Sequence, residues 1–228
     1  MGRKCPIYGI AIYMDCIDCD YKLCNMKYKY DTICIGIDQS YSNTGISVSA
    51  DGVLKMVGSI NLLNYNNNSK KRKVIYNKIK SIINKLIGKS KNIICVIERI
   101  RLRSQGFLNI NYIKSIGALN ALIVDLMYEY NIKVYSVDTR CWKSQVVGTS
   151  KPKQNDYGVP DEKWPTVEWC IFKGFKSKIL VDMSNSRKVK GTFITDGCKY
   201  MYDNDAADSA AISMFWFVGE HDKLKEEN

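Results

Sequence analysis

The chain has 228 residues, 34 Lys and Arg against 23 Asp and Glu, a formal charge of +11, and 46% hydrophobic residues including 15 Tyr and 6 Phe. This composition excludes global disorder and supports one large domain, or one domain with an appendage. The positive excess favours a polyanionic partner, nucleic acid first and an acidic membrane surface second.

Residues 1–31 read as a Cys-bearing N-terminal extension, with residues 32–228 forming the main domain. Cys5, Cys16, Cys19 and Cys24 include one C-x-x-C pair, and four thiolates could close a structural zinc site. Their spacing matches no zinc finger, so four ordinary reduced cysteines are the alternative. Nine cysteines is an odd number, and Cys34 and Cys95 fall inside apolar strands, so a reducing cytoplasmic compartment fits better than a disulfide framework. The short patch from Ile7 to Met14 is not followed by a cleavage segment, and no apolar run is expected to reach the ~18 residues of a membrane span.

Thr32 to Asp38 reads as a central strand, apolar on both faces and ending in a carboxylate. Thr44 to Ala50 and Val53 to Ile60 read as a hairpin turning at Asp51-Gly52. An Asn-rich loop leads to a helix from about Ser69 to Ile87, closed by Gly88, with Ile75, Ile79, Ile82, Ile83 and Leu86 on one face. Between Gly52 and Ile97 there are ten Lys or Arg and no acid, which suits either a solvated helix face or a surface facing phosphates.

Asn92 to Glu98 is a second apolar strand ending in an acid. Arg99, Arg101 and Arg103 alternate behind it, followed by Phe107. Arg99 either pairs with Glu98 or joins the other two in contacting a phosphodiester. A long apolar helix spans about Asn109 to Tyr130, a strand covers Ile132 to Val137, and a loop with a short helix carries Arg140, Lys143 and Lys151. The order of elements describes an α/β domain built on a mixed sheet. Residues 152–200, broken by Pro152, Pro160 and Pro165, read as an insertion that ends in a hairpin at Asp196-Gly197. A final helix from about Asn204 to Val218 sets Asp205 and Asp208 on one face.

Asp38, Glu98, Asp205 and Asp208 thus come from two strand ends and one helix. Gathered together they would repel one another unless a cation neutralised them. Oxygen-only ligands select Mg²⁺ or Mn²⁺, and two such ions about 4 Å apart could cleave a phosphodiester. The one histidine, His221, lies in a charged tail, which excludes His-driven hydrolysis. No G-x-x-x-x-G-K-[ST] is present, which excludes P-loop chemistry, and no ATP is expected.

Ile35-Gly-Ile-Asp-Gln-Ser-Tyr-Ser-Asn-Thr-Gly-Ile46, Val96-Ile-Glu98 and Asp205-Ala-Ala-Asp-Ser-Ala-Ala-Ile212 resemble the RuvC family of Holliday junction resolvases, within the RNase H-like superfamily. The resemblance covers about residues 32–151 and 203–218. It implies an RNase H-like fold, a mixed five-stranded sheet flanked by helices. It implies that Asp38, Glu98, Asp205 and Asp208 are catalytic ligands of two Mg²⁺ ions, and that Lys143 and Lys151 lie on a basic loop touching DNA. Phe107 falls where the family can place a base-stacking aromatic. The resemblance also implies a homodimer through helix 109–130 and branched DNA as substrate, in an enzyme of the crossover junction endodeoxyribonuclease type. The composition is compatible with a phage or viral member. An RNA–DNA hybrid nuclease, an actin-like or hexokinase-like ATPase and a non-catalytic DNA-binding relative are the alternatives.

Overall fold

The computed structural model describes residues 28–100, 110–154, 160–182, 193–195 and 198–227. Cys5, Cys16, Cys19, Cys24, Arg101, Arg103, Phe107 and the Asp196-Gly197 turn lie outside the described residues.

Strands β1 (Tyr30–Asp38), β2 (Asn43–Ala50) and β3 (Val53–Asn61) form an antiparallel meander. The β2–β3 turn is a two-residue one in which Asp51 (φ 48°) and Gly52 (φ 76°) both take the left-handed conformation, matching the strands' twist. Asp51 also ties the sheet's lower edge, its carboxylate accepting from the Asp31 and Thr32 amides.

Helix α1 (Asn68–Leu86) starts where the Asn67 side chain accepts from the Ser69 and Lys70 amides. Its Ile75, Ile79 and Ile83, spaced four apart, are fully buried. Gly88, at φ 77°, ends it and turns the chain into β4 (Ser90–Glu98). Helix α2 (Ile110–Tyr128) and β5 (Lys133–Val137) complete a parallel trio, β1–β4–β5.

The sheet has six strands, not the five that the sequence suggested. The sixth is a two-residue edge strand in the charged tail, Lys225–Glu226, antiparallel to β5. Its backbone pairing is joined by an ion pair between Glu226 and Lys133 of β5 at 3.2 Å, and its two charged residues carry no strand-forming pattern. Helix α2 also corrects the reading that no run approaches membrane-spanning length, since its 19 residues pass that test by length and composition. Here it serves as a core helix: Ile116, Leu119, Ile123 and Leu126 are buried, and Lys114 and Asp125 interrupt its apolar surface.

Alternation along β1 divides the core into two layers. Ile35 and Ile37 pack with α1 and α2, while Cys34 joins Val96 beneath the last helix, α6 (Asn204–Val218). Between β5 and α6 the chain forms α3 (Thr139–Trp142), which continues as a wider turn to Val147, and then α4 (Trp164–Cys170) and α5 (Lys176–Ile179). The buried side chains Trp164, Val167 and Cys170 of α4 pack on Ala206, Ala207 and Ala210 of α6. Within this proline-broken stretch, Trp164, Val167, Cys170 and Ile179 are therefore part of the core. A small three-stranded sheet borders it, formed by Leu180–Asp182, Phe193–Thr195 and Cys198–Tyr202.

Candidate active site

Asp38 and Glu98 end neighbouring parallel strands, one register step beyond the Ile37–Ile97 pair, so both lie at the same edge of the sheet. α6 crosses that edge closely because two glycines leave room for it. A Cβ on Gly45 would fall 1.8 Å from the Asp205 carbonyl oxygen, and one on Gly36 would fall 2.4 Å from that of Ser209. Ser47 donates to the Ser209 carbonyl at 2.6 Å and fixes the helix from the β2 side. Asp203 sets its start, accepting from the Ala206 amide at 3.0 Å, from Asn43 Nδ2 at 3.0 Å and from Ser59 Oγ.

This docking brings the four sequence-derived acids into one electrostatic cluster. Burial is the main force raising the Asp38 carboxyl well above its usual range. Asp208, Glu98 and Asp205 add to the effect, and Lys163 opposes it. Glu98 is raised by burial. Thr139 Oγ1 (2.9 Å) and Trp142 Nε1 (3.2 Å) oppose that by donating to its two oxygens, while Asp208 adds to it. Asp205 is pushed up to about 6, by burial first and with Asn43 pulling the other way.

Asp208 is 1% exposed, and its Oδ2 accepts from Lys163 Nζ at 2.5 Å. Burial disfavours the charge on Lys163, yet Asp208, Asp38 and Glu98 together hold the ammonium above its ordinary range. The second oxygen, Asp208 Oδ1, is buried with no hydrogen-bond partner. So is Gln39 Oε1, whose own Nε2 donates to the Glu98 carbonyl at 2.5 Å. Buried orphan oxygens among carboxylates are the donor set of a hard divalent cation, so these residues fit Mg²⁺ or Mn²⁺. Among the described residues, no three acid, His or Cys side chains close on one point at ligating distance. Lys163 is the cation the cluster already holds.

Of the four acids, Asp38 and Glu98 line a cleft of about 630 Å³, together with Thr139, Arg140 and Lys143. Lys143 donates to the Glu162 carbonyl at 3.4 Å and lies 5.4 Å from the Trp142 ring. Lys151 is exposed, between Ser150 and Pro152, which line the cleft. Arg99 does not pair with Glu98. Its guanidinium reaches Ser136 Oγ and the Ser136 carbonyl, both at 3.4 Å, from the cleft wall.

Sequence reasoning missed Lys163, Gln39, Thr139 and Trp142 as partners of the acids. Lys163 had one legible signal: it directly precedes Trp164-Pro165, and Pro in a first turn marks a helix start. A cation at that position is aimed by the helix, here into the cluster.

No known protein-family profile matches the sequence, and no curated protein matches it. Solved structures do match the fold. A Thermus thermophilus RuvC in complex with Holliday junction substrate superposes with a TM-score of 0.53 at 11% identity, covering 86% of this chain and 99% of that one. Another Thermus thermophilus RuvC structure gives 0.50 at 12% identity, with the same coverage. The yeast mitochondrial Holliday junction resolvase Ydc2 gives 0.45 at 16% identity, over 83% of this chain and 79% of that one. The chain has the RuvC-like, RNase H-like α/β fold.

Proposed function

We propose that this chain is a metal-dependent endonuclease that hydrolyses phosphodiesters in branched DNA and resolves four-way junctions. The observation that carries this reading is the gathering of Asp38, Glu98, Asp205 and Asp208 at one sheet edge, around a buried orphan oxygen and above an open cleft. The fold shared with a junction-bound RuvC and the charge of +11 support a nucleic-acid substrate.

On this reading the four acids would hold a pair of Mg²⁺ or Mn²⁺ ions, which supply an activated water and neutralise the leaving 3′-oxygen. The chain's own groups prepare that site. Thr139 and Trp142 orient the Glu98 carboxylate and favour its charged form. Gln39 locks the end of β4 through the Glu98 carbonyl. Lys163 pairs with Asp208 and adds positive potential where a phosphate would sit, with Arg140 and Lys143 on the cleft wall. Arg99, Arg101, Arg103, Phe107 and Lys151 extend the proposed DNA contact.

The proposal includes a homodimer through helix 109–130. Ile110 and Tyr112 of α2 are 61% and 64% exposed, an apolar surface that a second copy would cover.

The test is cleavage of labelled four-way junction, duplex and RNA–DNA hybrid in Mg²⁺, with Asp38→Asn and Asp208→Asn beside the parent. Paired symmetric nicks in the junction, absent from both variants, are expected. Cleavage confined to the hybrid would move the protein to an RNase H activity. No metal-dependent cleavage of any substrate would overturn the nuclease reading.

A further inference from the structure

A second feature lies on the α1 side of the sheet, at the end of the strands away from the acids. It is a hollow of about 310 Å³. Its floor is apolar, made by the buried side chains Ile33, Val48 and Ala50, with Met56 and Leu86 beside them. Its rim carries Lys29, Lys55, Lys85 and Lys89, all exposed and contributed by four different stretches of chain. No acid lines the hollow, and among the described residues none of the four lysines is ion-paired. Lys29 and Lys55 lie 5.3 and 5.7 Å from the Tyr30 ring centre, which anchors two of the ammonium groups beside the floor.

Four like charges around an apolar floor repel one another, and Met56 and Leu86 beside that floor remain partly open to water, so the fold itself gains little from this arrangement. Lys85, in the last turn of α1, has the helix dipole as a reason to be there, but Lys29 and Lys55 belong to strands and their approaches. We propose that the hollow docks an acidic peptide segment of a second protein, with one aliphatic or aromatic side chain on the floor and flanking carboxylates on the lysine rim. The volume is at the small end of ligand pockets, roughly 300–1,000 Å³, which suits a single anchoring side chain. Charge complementarity sets the sign of the partner, and the apolar floor sets its class. A sugar-phosphate backbone satisfies the lysines but has nothing to cover the partly exposed Met56 and Leu86. Ile33 of the floor lies five residues before Asp38 on β1, about 16 Å at ~3.3 Å per residue, and no acid of the cluster lines the hollow. This inference goes beyond the proposed nuclease activity and does not depend on it.

The test uses the full chain and a fluorescein-labelled peptide, Asp-Asp-Glu-Asp-Ile-Phe, read by anisotropy. Saturable binding that weakens with salt is expected, as is a loss of about tenfold or more when Ile and Phe of the peptide are replaced by Ser. A Lys55→Glu/Lys89→Glu double variant should lose binding by a similar factor while keeping the parent's melting temperature and nuclease activity. Three results would overturn the proposal. One is equal binding of the Ser-substituted peptide. Another is displacement of the peptide by single-stranded DNA, with the double variant losing DNA binding. The third is peptide binding only after Asp15, Asp18 and Asp20 are changed to Asn, which would assign the hollow to the chain's own N-terminal segment. Because cleavage is read separately, failure of the nuclease reading leaves the binding result intact.

Discussion

Gly45→Ala tests how the acids are brought together. Gly45 lies on β2 under the first turn of α6, and its backbone does not require the left-handed conformation, so alanine is excluded by space alone. The added Cβ would meet the Asp205 carbonyl oxygen at 1.8 Å and its carbon at 2.4 Å. These are backbone atoms that cannot rotate away. To reach even a tight contact of 3.0 Å the helix must retreat by about 1.2 Å, carrying Asp205 and Asp208 away from Asp38. Overpacking of this kind costs about 1–3 kcal/mol, and a misplacement near 1 Å lowers a positioned reaction by about 10²-fold. Gly58→Ala on β3 is the control, because nothing lies within 4 Å of the position its Cβ would take. The assays are thermal melting and single-turnover junction cleavage in Mg²⁺. Gly45→Ala should melt lower and cleave about 100-fold slower, with Gly58→Ala within about 0.5 kcal/mol of the parent. A Gly45→Ala protein matching the parent in both assays would refute the close docking of α6 as the device that gathers the acids.

Three further outcomes are expected. Asp38, Glu98 and Asp205 all have raised pKa values, so the unfolded chain gives up these protons first as pH rises. The metal-free protein therefore loses stability from about pH 4 upward, through the Asp205 value of about 6. Mg²⁺ should restore more stability at pH 7.5 than at pH 5 in paired melting curves, and equal restoration would count against metal held by these acids. Lys163→Gln leaves Asp208 buried without its cation. Because the Lys163 side chain is 43% exposed, the loss is set at about 1–2 kcal/mol, below the cost of breaking a fully buried pair, and added Mg²⁺ should offset it. Ile110→Glu, on an exposed site of α2, should convert a dimer to monomer in sedimentation without lowering the monomer's melting temperature.

The legible parts of the fold were those carried by local patterning. Runs such as Ile33 to Ile37, the Ile75/Ile79/Ile83 spacing, the Asp51-Gly52 turn and Gly88 each act within a few residues, and each ended or faced as read. The acids were legible because a carboxylate closing an apolar strand has few structural uses. Lys163 was hidden because its meaning is non-local: it lies 45 residues from Asp208 along the chain, in a stretch whose prolines suggest an excursion. The edge strand at Lys225–Glu226 was hidden for a different reason, since two charged residues held by backbone pairing and a Glu226–Lys133 ion pair have no periodicity to detect.

Lys163 and the small residues of α6 belong to one arrangement. Ala206, Ala207 and Ala210 let α4 pack against α6, and that packing sets the start of α4 beside Asp208. Gly36 and Gly45 let the same helix lie on β1 and β2 from the other side. α6 is thus clamped between the sheet and α4 and delivers two acids toward one and accepts a cation from the other. The Lys163 ammonium partly neutralises the acid cluster built this way, and Asp208 Oδ1 is still left without a partner. Removing Lys163 and adding Mg²⁺ should therefore act on the same electrostatic deficit, and their effects on melting should be non-additive. Additive effects would mean that the lysine and the metal serve different carboxylates.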